Sequence, residues 1–247
     1  MLDILSEFLG TLVLILLGNG VVYSVSNNKM FANQPGKWIV IIFGWGIAVF
    51  AGVLVSTSLD GNGHLNPAVT IFDLVSSKFA NPYKIAYIPV QFLGAMTGQA
   101  VLNFINWKHI QETDLATVRG AHCTGPAFEN KKGATVFNFS YELVGTLVLV
   151  GLVLAFGKGT NGINLSALGP LPVTLVVIGI GASLGSSTGY AINPARDLGP
   201  RIIYFLTEKF VLKSRTSEHV GANWSYSWIP VVAPSTAGAI IGAFALI

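Results

Sequence analysis

The tripeptide Asn-Pro-Ala occurs twice, as Asn66-Pro67-Ala68 and as Asn193-Pro194-Ala195. Asparagine is a natural N-cap and proline a natural first helical residue, so each triplet predicts the start of a helix. The apolar segment behind each is short: the first ends between Asp73 and Lys78, the second near Thr207. About ten residues of helix cross only half a bilayer. A helix N-terminus carries roughly half a positive elementary charge and several unpaired N–H groups. Two such ends brought together where water is scarce repel cations and protons and receive a neutral molecule with lone pairs. The side-chain amides of Asn66 and Asn193 would add donors, and Pro67 and Pro194 would lock the turns. Arg196 follows the second triplet directly, and an ionisable group inside apolar sequence is a functional candidate. Glu7 and Glu142 sit on apolar runs and are expected to accept bonds from loop N–H groups. His64 is expected to pack or hydrogen-bond beside the first triplet. No nucleophile–base–orienter set, metal cluster or phosphate loop is present, so no enzymatic activity, cofactor or metal is expected. His122 and the single cysteine, Cys123, are read as structural, and one cysteine allows no intrachain disulfide.

The elements that must position these residues follow from composition. Charged residues are 10% of the 247-residue chain, against roughly 25% in soluble proteins. Apolar residues are 52%, and the mean hydropathy is +0.63. So few charges cannot cover a soluble globule. A soluble enzyme, a disordered chain and a nucleic-acid binder are excluded, and the class is a multi-pass integral membrane protein. The net charge of +3 is scattered and suits segments near lipid headgroups. Asp3 and Glu7 stand where a cleaved signal would be basic, so the first apolar run is expected to remain. Uncharged windows long enough to span are Phe8–Asn28, Trp38–Leu59 and Ile85–Trp107. Gly133–Gly157 is a fourth, broken only by Glu142. Gly159–Ala195 must hold a loop, a span and more, and His219–Ile247 holds the sixth. Strand-type alternation is absent, which speaks against a barrel.

The halves repeat. Glu7-Phe8-Leu9-Gly10-Thr11-Leu12-Val13-Leu14 matches Glu142-Leu143-Val144-Gly145-Thr146-Leu147-Val148-Leu149. Each half holds three spans, with one half-helix between the second and third. Three is odd, so the second half inserts upside down and the site lies near the midplane. The reading is an all-α membrane protein: six transmembrane helices and two re-entrant half-helices in an inverted repeat around a central pore. It is one domain, with halves at about 1–107 and 133–247 joined by the polar connection 108–132. Glycines on the spans, among them Gly94, Gly98 and Gly238, are read as close-packing positions.

The two triplets, set in His64-Leu65-Asn66-Pro67-Ala68-Val69-Thr70 and Asn193-Pro194-Ala195-Arg196-Asp197-Leu198-Gly199-Pro200-Arg201, resemble the aquaporin superfamily over nearly the whole chain. The resemblance implies an outer constriction at Trp45, Gly181, Tyr190 and Arg196. Water-selective members typically carry His at the Gly181 position and Phe on the second span, and both are absent. Gly181 would widen the ring, Trp45 and Tyr190 would form an aromatic corner, and Arg196 would supply donors on the opposite wall. Trp38, at the start of its span, suits the interfacial belt instead. Asp197, Arg201 and Pro230-Val231 match the glycerol-conducting branch. Tyr190 stands where that branch often has Phe, and Phe128 where it often has Tyr. By this resemblance the chain is expected to be a passive channel for glycerol, water and similar small neutral solutes. The resemblance also implies four protomers in membrane lipid, residence in the plasma membrane, no cofactor and both termini in the cytoplasm. The lysine and arginine distribution alone would choose the opposite orientation. The alternative within the family is a water-selective aquaporin with low glycerol permeability. From other classes come a secondary transporter, which would need a coupling-ion site, and a junction protein with a closed pore.

Overall fold

The computed structural model describes residues 2–129, 131–158, 165–212 and 219–247, and among these every regular element is helical. In the first half, α1 is Leu2–Ser26, α2 Lys37–Thr57, α3 Pro67–Ser76 and α4 Tyr87–Ile105. Two short helices, α5 (Trp107–Glu112) and α6 (Leu115–Gly120), occupy the connection. In the second half, α7 is Ala134–Lys158, α8 Leu171–Leu184, α9 Pro194–Leu206, α10 Trp224–Ser227 and α11 Ile229–Phe244.

The packing repeats as the sequence does. α1 lies on α2 and α4, and α7 lies on α8 and α11. Each half-helix then docks on the last span of the other half: α3 on α11, and α9 on α4. That exchange ties the halves together and brings the two half-helix N-termini to one place. Glycines allow the close approaches. A Cβ on Gly98 of α4 would stand 2.6 Å from the Leu12 carbonyl of α1, and one on Gly238 of α11 would run into the Ala68 carbonyl of α3.

The distribution of polarity is that of a chain in hydrocarbon. Ile39, Phe43 and Ile47 on α2 and Phe137, Val144 and Val148 on α7 are exposed, while Glu7, Asn19, Gln91, Gln99 and Glu142 are buried. Polar groups inside such a chain must be bonded to each other, because lipid offers no partner. Among the described residues, five helical stretches are long and apolar enough to span a membrane. The span read within 159–195 is the 14-residue α8, which rises only about 21 Å; residues 159–164 lie outside the described residues. α1 begins six residues earlier than the apolar window, which brings Asp3 and Glu7 onto the helix. The helices α5 and α6 carry Ile110, Leu115 and Val118 into a buried cluster with Tyr23, Leu102 and Tyr204. Polar composition alone hides these two short elements.

Candidate functional site

Each half-helix is capped by its own asparagine. Asn66 has extended backbone, and its Oδ1 accepts from the Ala68 N–H at 2.9 Å. Oδ1 of Asn193 accepts from Ala195 at 3.0 Å and Arg196 at 3.2 Å. With the oxygens turned to the helices, the amide nitrogens cross between halves. Nδ2 of Asn66 donates to the Ile192 carbonyl at 2.9 Å, and Nδ2 of Asn193 donates to the Leu65 carbonyl at 2.8 Å. The two loops are thus cross-linked reciprocally across a pseudo-twofold axis.

Leu65 and Ile192 accept those bonds from left-handed backbone, with φ of 51° and 42°. A side-chain-bearing residue there costs about 1–3 kcal/mol and persists only when the surroundings over-determine it. Buried carboxylates do so. Glu7 accepts from the N–H groups of His64 (2.8 Å) and Leu65 (2.7 Å), and Glu142 from those of Ala191 (3.0 Å) and Ile192 (2.8 Å). Gln91 of α4 donates to Oε2 of Glu7 at 2.7 Å and to the Thr70 hydroxyl at 3.0 Å. Nδ1 of His64 lies 3.2 Å from the same hydroxyl, and its ring meets Tyr87 edge-on.

Two spaces share the asparagines Asn66 and Asn193 in their linings. The larger, about 410 Å³, reaches His64 and Asp73 on one side and Val153, Phe156 and Val173 on the other. The smaller, about 50 Å³, lies beyond the asparagines and ends at Trp45, Tyr190 and Arg196. Leu14, Val49, Leu149 and Val177 line both. One wall of the path is therefore aliphatic and carries no hydrogen-bonding side chain.

At the narrow end the guanidinium carbon of Arg196 sits 4.1 Å from the centre of the Trp45 ring. This differs from the expected opposite walls: the guanidinium lies directly on the indole face. Cation–π attraction accounts for it, since Nη1 of Arg196 is buried with no hydrogen-bond partner among the described residues. Gly18 of α1 makes room for the indole, because a Cβ there would fall on the Trp45 ring. Gly181 stands behind Tyr190. A Cβ on it would lie 2.9 Å from Cζ of Tyr190, and one on Gly185, a turn further, 2.6 Å from Cδ1. The two glycines thus form a cradle for the tyrosine ring, and the width released by Gly181 is filled by that ring. Trp38 closes the cradle. Its Nε1 donates to the Gly181 carbonyl at 3.1 Å and its ring meets Tyr190 edge-on at 5.8 Å. The belt position read for Trp38 is therefore incomplete. Its place two turns before Trp45, on the same face of α2, is the signal of this role in the sequence.

Behind Arg196 a buried network holds α9. Asp197 pairs with Arg201 (Nε to Oδ1, 2.8 Å) and not with Arg196. It also accepts from the backbone and hydroxyl of Thr124 at 2.8 and 2.6 Å. Arg201 donates onward to the carbonyls of Thr124 (2.8 Å) and Ala222 (2.6 Å). The Thr124 tether is not legible in the sequence, because a loop threonine carries no pattern. Among the described residues no cluster of His, Cys, Asp and Glu is placed to hold a metal.

This geometry can be set beside known proteins. The chain is 45% identical over 249 residues to a probable glycerol uptake facilitator protein of Mycoplasmoides gallisepticum, covering 99% of this chain and 96% of the relative. It is 43% identical over 242 residues to glycerol uptake facilitator protein 3 of Lactiplantibacillus plantarum, covering 97% and 93%. The X-ray structure of the aquaglyceroporin from Plasmodium falciparum superposes with a TM-score of 0.77 at 27% identity, covering 98% of this chain and 94% of that one. The family model described as "Major intrinsic protein" matches residues 1–246. Crossed half-helices, apolar spans and near full-length similarity agree, and the chain belongs to the major intrinsic protein family.

Proposed function

We propose that this protein is a passive channel for glycerol, water and similar small uncharged solutes, excluding ions and protons. The observation that carries the reading is the reciprocal bond pair Asn66–Ile192 and Asn193–Leu65, which holds two helix N-termini against one narrow path. Each end contributes roughly half a positive charge, so a cation meets a barrier that a neutral solute does not. The aliphatic wall gives a carbon chain a surface, and the remaining amide hydrogens and Arg196 offer donors to its oxygens.

In this reading Trp45, Gly181, Tyr190 and Arg196 are the selectivity ring. Asn66, Pro67, Ala68, Asn193, Pro194 and Ala195 form the central junction. Glu7, Glu142, His64, Asp197 and Arg201 hold the loops in place. The names of the relatives favour glycerol over a water-selective channel. Residence in the plasma membrane and assembly as a homotetramer belong to the same proposal, supported by family membership. No step calls for a cofactor or a catalytic group.

The test is stopped-flow light scattering on proteoliposomes given a glycerol gradient. Fast shrinkage followed by reswelling well above protein-free vesicles is expected. Fast shrinkage without reswelling would replace the glycerol reading by the water-selective one. Saturable uptake driven by an ion gradient would replace the channel by a secondary transporter.

A further inference from the structure

A further cavity, of about 150 Å³, lies between the polar connection, the start of α7 and α10. None of its lining residues borders either space of the path. Asn138, one turn inside α7, lines it and is only 5% exposed. The side chain of Asn138 has no hydrogen-bond partner among the described residues. Unlike the amide of Asn27, which is unpartnered and sealed, that of Asn138 keeps accessible surface, so it opens on the cavity. Burying an amide this far without a partner is costly, and a leucine of nearly the same volume would pack there without the cost.

The groups around Asn138 show what partner the amide awaits. Thr135 lines the same cavity and lies on the same face of α7, three residues earlier. Side chains on a helix lean toward its N-terminus, so Asn138 leans over the first turn. That turn carries unpaired N–H groups and roughly half a positive charge, and Gly133 before it has no side chain with which to cap them. Lys131, also in the lining, holds its ammonium 5.1 Å above the Phe128 ring and has no carboxylate partner among the described residues. The one carboxylate in the lining, Glu129, faces Arg119 at 3.7 Å. On the far wall the Tyr226 hydroxyl and Nδ2 of Asn223 are sealed from the space. Recognition therefore falls to Asn138, Thr135, Lys131 and the helix end. A cation is repelled there. Anionic oxygens accept from every one of these groups. The volume equals that of about five water molecules at roughly 30 Å³ each, which admits a short chain.

We propose that this cavity is a binding site for a small organic anion, whose oxygens are held by the Asn138 amide, the Thr135 hydroxyl and the Lys131 ammonium at the N-terminus of α7. A soluble carboxylate and the phosphate of an anionic lipid headgroup share that chemistry. The site stands apart from the path, and its occupancy is independent of what the path conducts.

The experiment is calorimetric titration of the purified protein in nanodiscs of phosphatidylcholine at low ionic strength. Three probes of one size are compared: glycolate, ethylene glycol and ethanolamine, which are an anion, a neutral molecule and a cation. Glycolate is expected to saturate at one per chain, with the other two at least about tenfold weaker. Equal binding of the three, or none, would overturn the proposal. Asn138→Leu keeps the volume and removes the amide, and glycolate is expected to bind about tenfold more weakly. Lys131→Gln alters an exposed side chain and is expected to cost roughly two- to fivefold. Wild-type affinity in either variant would also overturn the proposal; if Asn138→Leu misfolds, as judged by its size-exclusion profile, Lys131→Gln decides. Nanodiscs containing phosphatidylglycerol separate the two sources of the anion. Glycolate binding lost in them assigns the site to a lipid headgroup, and undiminished binding assigns it to a soluble carboxylate.

Discussion

The ring of Tyr190 fills the space in front of Gly181, where a Cβ would come within 2.9 Å of Cζ of Tyr190 and 2.8 Å of Cγ2 of Ile42. Residue 181 therefore acts through Tyr190. The glycine lets a large aromatic ring stand flat against α8, and the ring sets the width of the path.

Gly181→His is expected to cut glycerol permeability by at least about tenfold and water permeability by clearly less. Overpacking of this kind costs about 1–3 kcal/mol, and the displaced Tyr190 ring would move into the chamber, excluding the wider solute first. The paired measurement in proteoliposomes decides the matter. Equal loss of both fluxes would mean that the substitution acts on folding.

Glu142→Gln tests the support of the strained loop. The carboxylate accepts from both Ala191 and Ile192. A glutamine retains one acceptor and turns an NH₂ group toward a backbone N–H. The unpaired donor costs about 1–3 kcal/mol, and Ile192 loses the restraint on its positive φ. A lower unfolding temperature in detergent and reduced solute flux are expected. Glu7→Gln should do the same at Leu65. Wild-type stability in both variants would show that the crossing asparagine bonds hold the loops unaided.

Much of this arrangement is legible in the sequence, for physical reasons. The half-helices α3 and α9 announce themselves because Asn caps and Pro at the first helical position have narrow conformational roles. The repeat around Glu7 and Glu142 shows because the same loop must be held twice. What stays hidden depends on contacts between distant segments. Thr124 reaches Asp197 across 73 positions, and the Trp38–Gly181 bond spans 143. The stacking of Arg196 on Trp45 is hidden in the same way. Side-chain types tell which groups are present, while the face that each shares is set by tertiary packing.

Gly238→Ala separates close packing from mere small size. An added Cβ would collide with the Ala68 carbonyl, a backbone atom in the first turn of α3 that cannot swing aside. The collision would push α3 away from α11 and take Asn66 out of register with Ile192. Loss of flux and a marked fall in thermal stability are expected. Gly179→Ala is the control, because nothing lies within 4 Å of a Cβ there. Its flux and stability should match the wild type. Similar behaviour of the two variants would refute the account of the α3–α11 contact.

Acid sensitivity should trace to His122 in the connection between the halves. This imidazole is fully buried; Nδ1 donates to the Val118 carbonyl at 2.7 Å, and the rings of Tyr23 and Tyr204 lie edge-on to it. Burial pushes its pKa down to about 4, and the Val118 bond offsets only part of that. The folded protein therefore keeps the ring neutral, while an unfolded chain protonates it near pH 6.5. Between those values the unfolded state binds more protons, so stability rises with pH. The contribution is present in full above about pH 6.5 and is lost as the pH falls toward 4, by about 3 kcal/mol in all. Other acid-labile groups change stability in wild type and variant alike, so the comparison isolates His122. Thermal unfolding of wild type and His122→Gln at pH 7, 5.5 and 4.5 (roughly spanning the two pKa values) is the measurement. The variant is expected to be less stable at neutral pH, for want of the imidazole's packing, yet to lose less on acidification. Parallel losses in the two proteins would remove His122 from the acid response.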